Sequence, residues 1–244
     1  LLLRPGRRPT LCLVRELDIW HSPAEDVPGD LAAALEIQHC AAPALPGPAE
    51  LAGVRSLAIV GEGPPPVLPC ECALNPPALL ARLDFERAYK TPHELHRLRA
   101  ATGRAVRAHA AAAAAFAEGL SEYAIRQRYL GAIEALEADM PYGPIIALNE
   151  HAATLHYDGC DRAAPARHLS FLIDAGASVG GYHADITRSY ASAGEPWEEL
   201  CARMDGLQQA VVASLRLGEL FPVLHGRMHA ALADLLCETG SSDI

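Results

Sequence analysis

Apolar and polar positions alternate clearly in the stretch FLIDAGASVGGYHADITRSY, from Phe171 to Tyr190. The period of two predicts a β-hairpin around the glycine pair Gly180-Gly181. With the turn centred on Val179-Gly180, Asp174 is expected directly opposite Asp185. Alternation then places Leu172, Asp174, Gly176, His183, Asp185 and Thr187 on one face. Phe171, Ile173, Ala175, Tyr182, Ala184 and Ile186 take the other. The second face reads as core and the first as polar.

Helical periodicity governs the chain on both sides of this hairpin. Thr91-Pro92-His93-Glu94 carries a capping box with proline in the first turn, so a helix starts there. It runs through the alanine-rich stretch 109–115 and stops near Gly119. Ser121 caps a second helix, expected to end near Met140. The stretch PYGPIIALNEHAATLHYDGC (141–160) reads as strand and loop. Further helices are expected over 197–217 and 223–238. In the first third, strands are expected over 9–20, 35–40 and 55–63, with a short helix at 48–54, which together suggest an α/β layer. The segment GEGPPPVLPCECALNPP is rich in turn formers and marks a boundary, followed by a helix over 77–89. The expected division is therefore 1–88, part of an α/β domain with a linker helix, and 89–244, an α+β portion.

Composition narrows the function. The 244 residues are 50% apolar and 20% charged, a globular balance, and carry a formal net charge of -10. That charge argues against a nucleic-acid partner, which needs a basic footprint. No apolar run is long enough to span a bilayer. Seven scattered cysteines read as reduced cytosolic thiols rather than a disulfide framework. Cys70-Glu71-Cys72 lacks a second pair at zinc-finger spacing. Gly61-Glu62-Gly63 is followed by prolines instead of a helix, so it is not a dinucleotide site. The chain starts at Leu1 and ends in a turn-like CETGSSDI, so an internal piece of a longer protein is expected.

Two carboxylates facing each other in a sheet are destabilising unless something neutralises them. They could share a proton, point to water or bind divalent cations. Aspartic proteases carry their aspartates in separate Asp-Thr/Ser-Gly loops, which weakens the first option. The hairpin pattern alone leaves water and cations open.

A resemblance bears on that choice. DAGASVGGYHADITRSY resembles the signature of the pita-bread metallopeptidase family, which includes methionine aminopeptidase, aminopeptidase P, prolidase and creatinase. The carrying pattern is Asp-x-Gly, Gly-Tyr, then Asp-x-Thr-Arg. PYGPIIALNEHAATLHY resembles the family's Xaa-Pro dipeptidase branch, and YKTPHELHRLRAAT its first catalytic helix. LDIWHSP and RSLAIVGEGPP resemble the end of a prolidase-type N-terminal domain.

The resemblance implies an incomplete pita-bread (creatinase/aminopeptidase-like) α+β domain after part of an α/β N-terminal domain. It implies metal-dependent hydrolysis of Xaa-Pro dipeptides with two divalent ions, Mn²⁺ first, with Zn²⁺ or Co²⁺ as alternatives. Asp174 matches a ligand of one metal, and Asp185 the aspartate bridging both. Thr187 matches a partner that steadies a carboxylate, and His156 a histidine touching substrate near the scissile bond. Tyr142 is expected to line the substrate pocket. His183 stands where a small residue is common and could be a further ligand, although a hydrogen-bonding role fits such a histidine better.

The family's remaining ligands, a histidine and two glutamates, have no counterpart before Ile244. His225 and His229 in LHGRMH lack the zincin glutamate and read as helix packing. A fragment without those ligands is expected to be inactive alone. An aminopeptidase P-like exopeptidase and a non-catalytic interaction module are the alternatives. The stretch ALNEHAATLHY disfavours the first, and retention of both aspartates the second. A cytoplasmic peptidase is implied. Relatives are often dimers, but no homodimer interface is legible.

Overall fold

The computed structural model describes residues 1–14, 20, 26–40, 51–62, 70–195 and 197–239. The chain divides into two compact units, Leu1–Tyr89 and Lys90–Ile244. No helix among the described residues is long and apolar enough to cross a membrane.

The first unit contains two short parallel strand pairs. Strand β1 (Thr10–Val14) pairs with β2 (Glu36–Cys40), which follows the short helix α1 (Gly29–Ala34). Strand β3 (Ser56–Ile59) pairs with β4 (Glu71–Leu74), and helix α2 (Pro77–Ala88) follows. Strand β4 and helix α1 are absent from the sequence expectations. Turn formers on both sides hide β4, because the parallel partner that orders it lies across the turn-rich segment. Asn75 closes this pair from its left-handed position (φ 48) by bonding both the N–H and the carbonyl of Gly61. The expected strand tail at 15–19, residues 48–50 of the expected helix at 48–54 and the Gly/Pro loop at 63–69 fall outside the described residues, and the remainder of that helix, 51–54, is a turn closed by the Val54 N–H on the Leu51 carbonyl.

The second unit packs helices on a three-stranded antiparallel sheet. Helix α3 (Pro92–Ala117) opens with the expected capping box: the Thr91 hydroxyl accepts from the Glu94 N–H, and the Glu94 carboxylate accepts from the Thr91 N–H. It ends before Gly119, whose φ of +78 suits the left-handed position past a helix end. Along α3, Ala101, Ala105, Ala108, Ala112 and Ala115 form a buried stripe at alternating four- and three-residue spacing. Small side chains let the helix lie close on the sheet, against Phe171, Ile173, Ala175 and Ala177. Helix α4 (Glu122–Ile133) starts at Ser121, whose hydroxyl accepts from the Ala124 N–H. It stops at Glu134, in the left-handed region at φ 52, short of the expected Met140. Ile125, Tyr129 and Ile133 seal the core from α4.

The sheet order is β5 (Ile145–Leu148), β6 (Ser170–Val179), β7 (Tyr182–Ala191). Helix α5 (Trp197–Ala213) packs on β7, and α6 (Phe221–Glu238) packs on α5. Helix α5 ends four residues before its expected limit, and α6 begins two residues early, with Pro222 in its first turn.

Candidate metal and substrate site

The β6–β7 turn fixes the hairpin register. Gly180 and Gly181 have φ of +58 and +80, and a two-residue turn with positive φ at both centres is the type that matches strand twist. Only the glycine pair supplies this without strain. Val179 therefore pairs with Tyr182, Gly176 with Asp185, and Asp174 with Thr187. The expected facing pair of Asp174 and Asp185 is thus corrected. The turn sits one residue later than Val179-Gly180, and the pairing slips by two. A slip of two preserves the faces, so both aspartates stay on one side of the sheet as diagonal neighbours.

Their side chains converge on one group. The Tyr142 hydroxyl lies 2.7 Å from Oδ1 of Asp174 and 2.7 Å from Oδ1 of Asp185. It has one proton and so donates to one carboxylate at a time. Burial first, and then the two carboxylates, push its pKa far above the ordinary phenol value. Tyr142 thus joins the aspartates directly rather than merely lining a pocket near them.

Gly176 makes the convergence possible. A Cβ there would lie 2.0 Å from the Ala184 carbonyl oxygen and 2.9 Å from Pro141 Cγ. The cradle beside the aspartates exists because that atom is missing. Two carboxylate oxygens that converge on one hydroxyl suit a hard divalent cation. The residues present therefore fit part of a metal site.

The core grips β6 at this point. His109 on α3 is buried, and its Nε2 donates to the Ala175 carbonyl at 3.0 Å. Tyr129 on α4 donates its hydroxyl to the Gly176 carbonyl at 2.8 Å. Burial lowers the His109 pKa and keeps the ring neutral. The two carbonyls directly after Asp174 are held by side chains from two helices.

The other expected site residues divide. Thr187 is exposed and pairs with Asp174 across the strands. Its hydroxyl makes no hydrogen bond to either carboxylate among the described residues. His183 is turned to Ser178, its Nδ1 lying 2.7 Å from that hydroxyl. His225 and His229 are exposed on α6, their rings 4.3 Å apart, so among the described residues they do not pack into a core as expected. His156 is exposed and lines a pocket of about 280 Å³ with Arg126, Gly143, Pro144, Ile145, Tyr157 and Asp158. That pocket adjoins the aspartates: Gly143 follows Tyr142, and Ile145 is the strand partner of Asp174.

One ionisable group was missed in the sequence. Glu122, in the first turn of α4, is fully buried. Its Oε1 accepts from the Leu148 N–H at 2.9 Å and contacts His151 Nδ1 at 2.8 Å. Its Oε2 accepts from the Tyr157 hydroxyl at 3.0 Å and the Asp161 N–H at 2.8 Å. Burial opposes its ionisation, but these four donors outweigh that and hold its pKa below the usual carboxylate range. Glu122, His151 and Asp161 bring ligand atoms within 4.8 Å of one another. Both Glu122 oxygens are already saturated by donors, so the cluster is a hydrogen-bond hub, and a cation would have to displace those donors. A glutamate just after a helix cap ordinarily stays in water beside the helix dipole, and no local signal marks this one as buried.

A helix layer on an antiparallel hairpin that carries paired acids fits the pita-bread fold. Residues 96–240 match the profile of metallopeptidase family M24, and the chain belongs to that family. It is 40% identical over 251 residues to an Xaa-Pro dipeptidase of Xanthomonas campestris pv. campestris (strain B100), covering 98% of this chain and 54% of that one. It is 48% identical over 166 residues to an Xaa-Pro dipeptidase of Shewanella amazonensis, covering 68% of this chain and 38% of that one. The chain thus spans about half the length, or less, of these relatives. In fold it is similar to Pseudomonas aeruginosa aminopeptidase PepP, with a TM-score of 0.59 at 24% identity, over 70% of this chain and 39% of that one. A zinc-substituted Escherichia coli aminopeptidase P in complex with product gives a TM-score of 0.57 at 22% identity, over 70% of this chain and 38% of that one.

Proposed function

We propose that this chain is part of a metal-dependent Xaa-Pro dipeptidase and supplies one wall of a dinuclear site. The observation that carries the reading is the convergence of Asp174 and Asp185 on one hydroxyl at 2.7 Å each, in a chain 40% identical to an Xaa-Pro dipeptidase. Asp174 and Asp185 would hold the metals. Divalent ions bound there polarise a scissile carbonyl and activate water. The two carboxylates favour a hard ion, and the family resemblance points to Mn²⁺ first, ahead of Zn²⁺ or Co²⁺.

Tyr142 orients the two carboxylates by sharing its proton with them. His156 contacts the substrate near the scissile bond from the adjoining pocket, whose walls at Pro144, Ile145 and Tyr157 suit a proline ring. Proline's tertiary amide has no N–H, so shape rather than backbone pairing must recognise it. Thr187 shares the ligand face and would take up a carboxylate once ions are bound. Two carboxylates alone hold two ions weakly, since ligand number sets affinity. The 244-residue chain by itself is therefore expected to be inactive, and the whole protein, which its relatives suggest is longer, to be active. All seven cysteines are free thiols, which suits a reducing cytoplasmic setting.

The test is release of proline. The whole protein should free proline from Xaa-Pro dipeptides with added Mn²⁺, and Asp185→Asn should reduce this to background. An active Asp185→Asn enzyme would remove Asp185 from the metal site. Cleavage of Xaa-Pro-Yaa tripeptides but not dipeptides would replace the dipeptidase reading with an aminopeptidase one.

A further inference from the structure

We propose that Glu122 is a positioning residue for His156: it locks the segment between β5 and Asp161 so that the His156 ring faces the pocket beside the aspartates. The proposal rests on the dipeptidase reading for its catalytic consequence, but its structural core stands on contacts. Glu122 is 1% exposed, and every donor it accepts from belongs to residues 148–161. Leu148 is at the start of that segment, His151 and Tyr157 are inside it, and Asp161 is at its end. The His151 and Tyr157 rings stack with centroids 4.5 Å apart and planes at 21°. Gly159 lets the chain pass under the Tyr157 ring, where a Cβ would come within 2.4 Å of ring atoms.

His156, in contrast, makes no hydrogen bond of its own among the described residues, and its ring is exposed. Nothing local fixes it. Its placement is inherited from Tyr157, the next residue, which is clamped to Glu122. One buried carboxylate therefore converts a strandless segment into a rigid support. The anion matters and not only the shape. Glutamine would replace one acceptor oxygen with an N–H₂ group aimed at donors, leaving an N–H or hydroxyl unmatched in a buried place.

The test is a double-mutant cycle on the whole, metal-loaded protein, with Xaa-Pro hydrolysis as readout. Misplacing a group near the reacting bond by about 1 Å costs up to ~100-fold. Glu122→Gln should thus lower kcat roughly 10- to 100-fold, with little change in KM, and metal affinity by calorimetry should be unchanged. In a His156→Ala background the same change should cost less than about twofold, because the group it positions is gone. An equal loss in both backgrounds, or no loss in either, overturns the proposal. If Glu122→Gln does not fold, Tyr157→Phe removes a single donor from the hub and must show the same non-additivity with His156→Ala.

A readout without catalysis separates this proposal from the reading it builds on. In the metal-free protein, the His156 Cε1–H NMR signal should move on Glu122→Gln. A wild-type protein that does not hydrolyse Xaa-Pro overturns the dipeptidase reading, and the NMR signal then decides on Glu122. An unmoved His156 signal overturns the positioning role whether or not the protein is a dipeptidase.

Discussion

Replacing Gly176 with alanine adds one carbon at the tightest of the described glycine positions. That carbon would sit 2.0 Å from the Ala184 carbonyl oxygen and 2.9 Å from Pro141 Cγ. Real Cβ contacts stay beyond about 3 Å, so the two strands must part by roughly an ångström. Neither obstacle is the flexible tip of a long side chain. One is backbone, and the other is a proline ring. Ala184 precedes Asp185 and Pro141 precedes Tyr142, so the strain falls on the groups that converge at the site. The Gly176 carbonyl also accepts the Tyr129 hydroxyl at 2.8 Å, a bond that a displaced strand would weaken. Overpacking costs ~1–3 kcal/mol and a buried hydrogen bond about 1 kcal/mol, so a total near 3 kcal/mol is expected. For a unit of this size that lowers Tm by roughly 6–12 °C. Gly181→Ala is the control. Nothing lies within 4 Å of its Cβ position and only its φ of +80 is strained, at a cost of ~1–2 kcal/mol. Calorimetric melting of the two variants and the wild type should therefore rank Gly176→Ala lowest. A Gly176→Ala melting point within about 2 °C of wild type, or above that of Gly181→Ala, would refute the steric account of the cradle.

Two further predictions concern the scaffold. The His109 pKa is lowered by burial, so the folded protein binds fewer protons than the unfolded chain; stability from this residue is complete above the unfolded value of about 6.5 and is lost as pH falls from there toward the folded value. His151 shifts the other way through its bond to Glu122, so the His109 contribution must be read as a difference: urea midpoints between pH 5 and 8 should fall less steeply with acid in His109→Gln than in wild type, and parallel slopes would contradict the buried neutral ring. Thr91→Ala removes the cap of α3 and should cost about 1 kcal/mol in urea unfolding, while a loss below about 0.3 kcal/mol would mean that the box adds little beyond the alanine stripe.

Much of the second unit was readable because its signals are local. The capping box, the alanine stripe and the glycine after α3 each lie within a few residues of what they control. The hairpin faces were readable from period-two alternation. Its register differs by two from the expected one because the turn centres on the two φ-positive glycines, Gly180 and Gly181, one residue beyond Val179-Gly180. The end of α4 was misread because Glu134 leaves the helix in a left-handed conformation that its residue type does not announce. Glu122 was illegible for a deeper reason. Its donors lie 26 to 39 residues further along the chain, and a glutamate beside a helix cap looks the same whether it faces water or four buried donors. Strand β4 was hidden in the same way, by a partner across a turn-rich segment.

The core and the candidate site divide their tasks by element type. The aspartates stand on β6 and β7, and β6 is held at the next two carbonyls by His109 from α3 and Tyr129 from α4. The strand that carries Asp174 is thereby fastened to buried side chains of the core. Tyr142 and His156 lie in irregular segments, and in the proposed function His156 contacts substrate from there. Irregular segments are ordinarily mobile, and a group 1 Å out of place loses much of its effect. The four-donor hub at Glu122 supplies the missing rigidity, fastening the short 3-10 helix Asn149–Ala153 through His151 and the irregular stretch after it through Tyr157 and Asp161. It follows that damage should separate cleanly. Changes at Gly176, His109 or Tyr129 should act through stability and ligand spacing together, because they touch the strands. Changes at Glu122 or Tyr157 also cost stability, but in the folded protein they should spare the aspartate pair and act on the histidine side of the pocket.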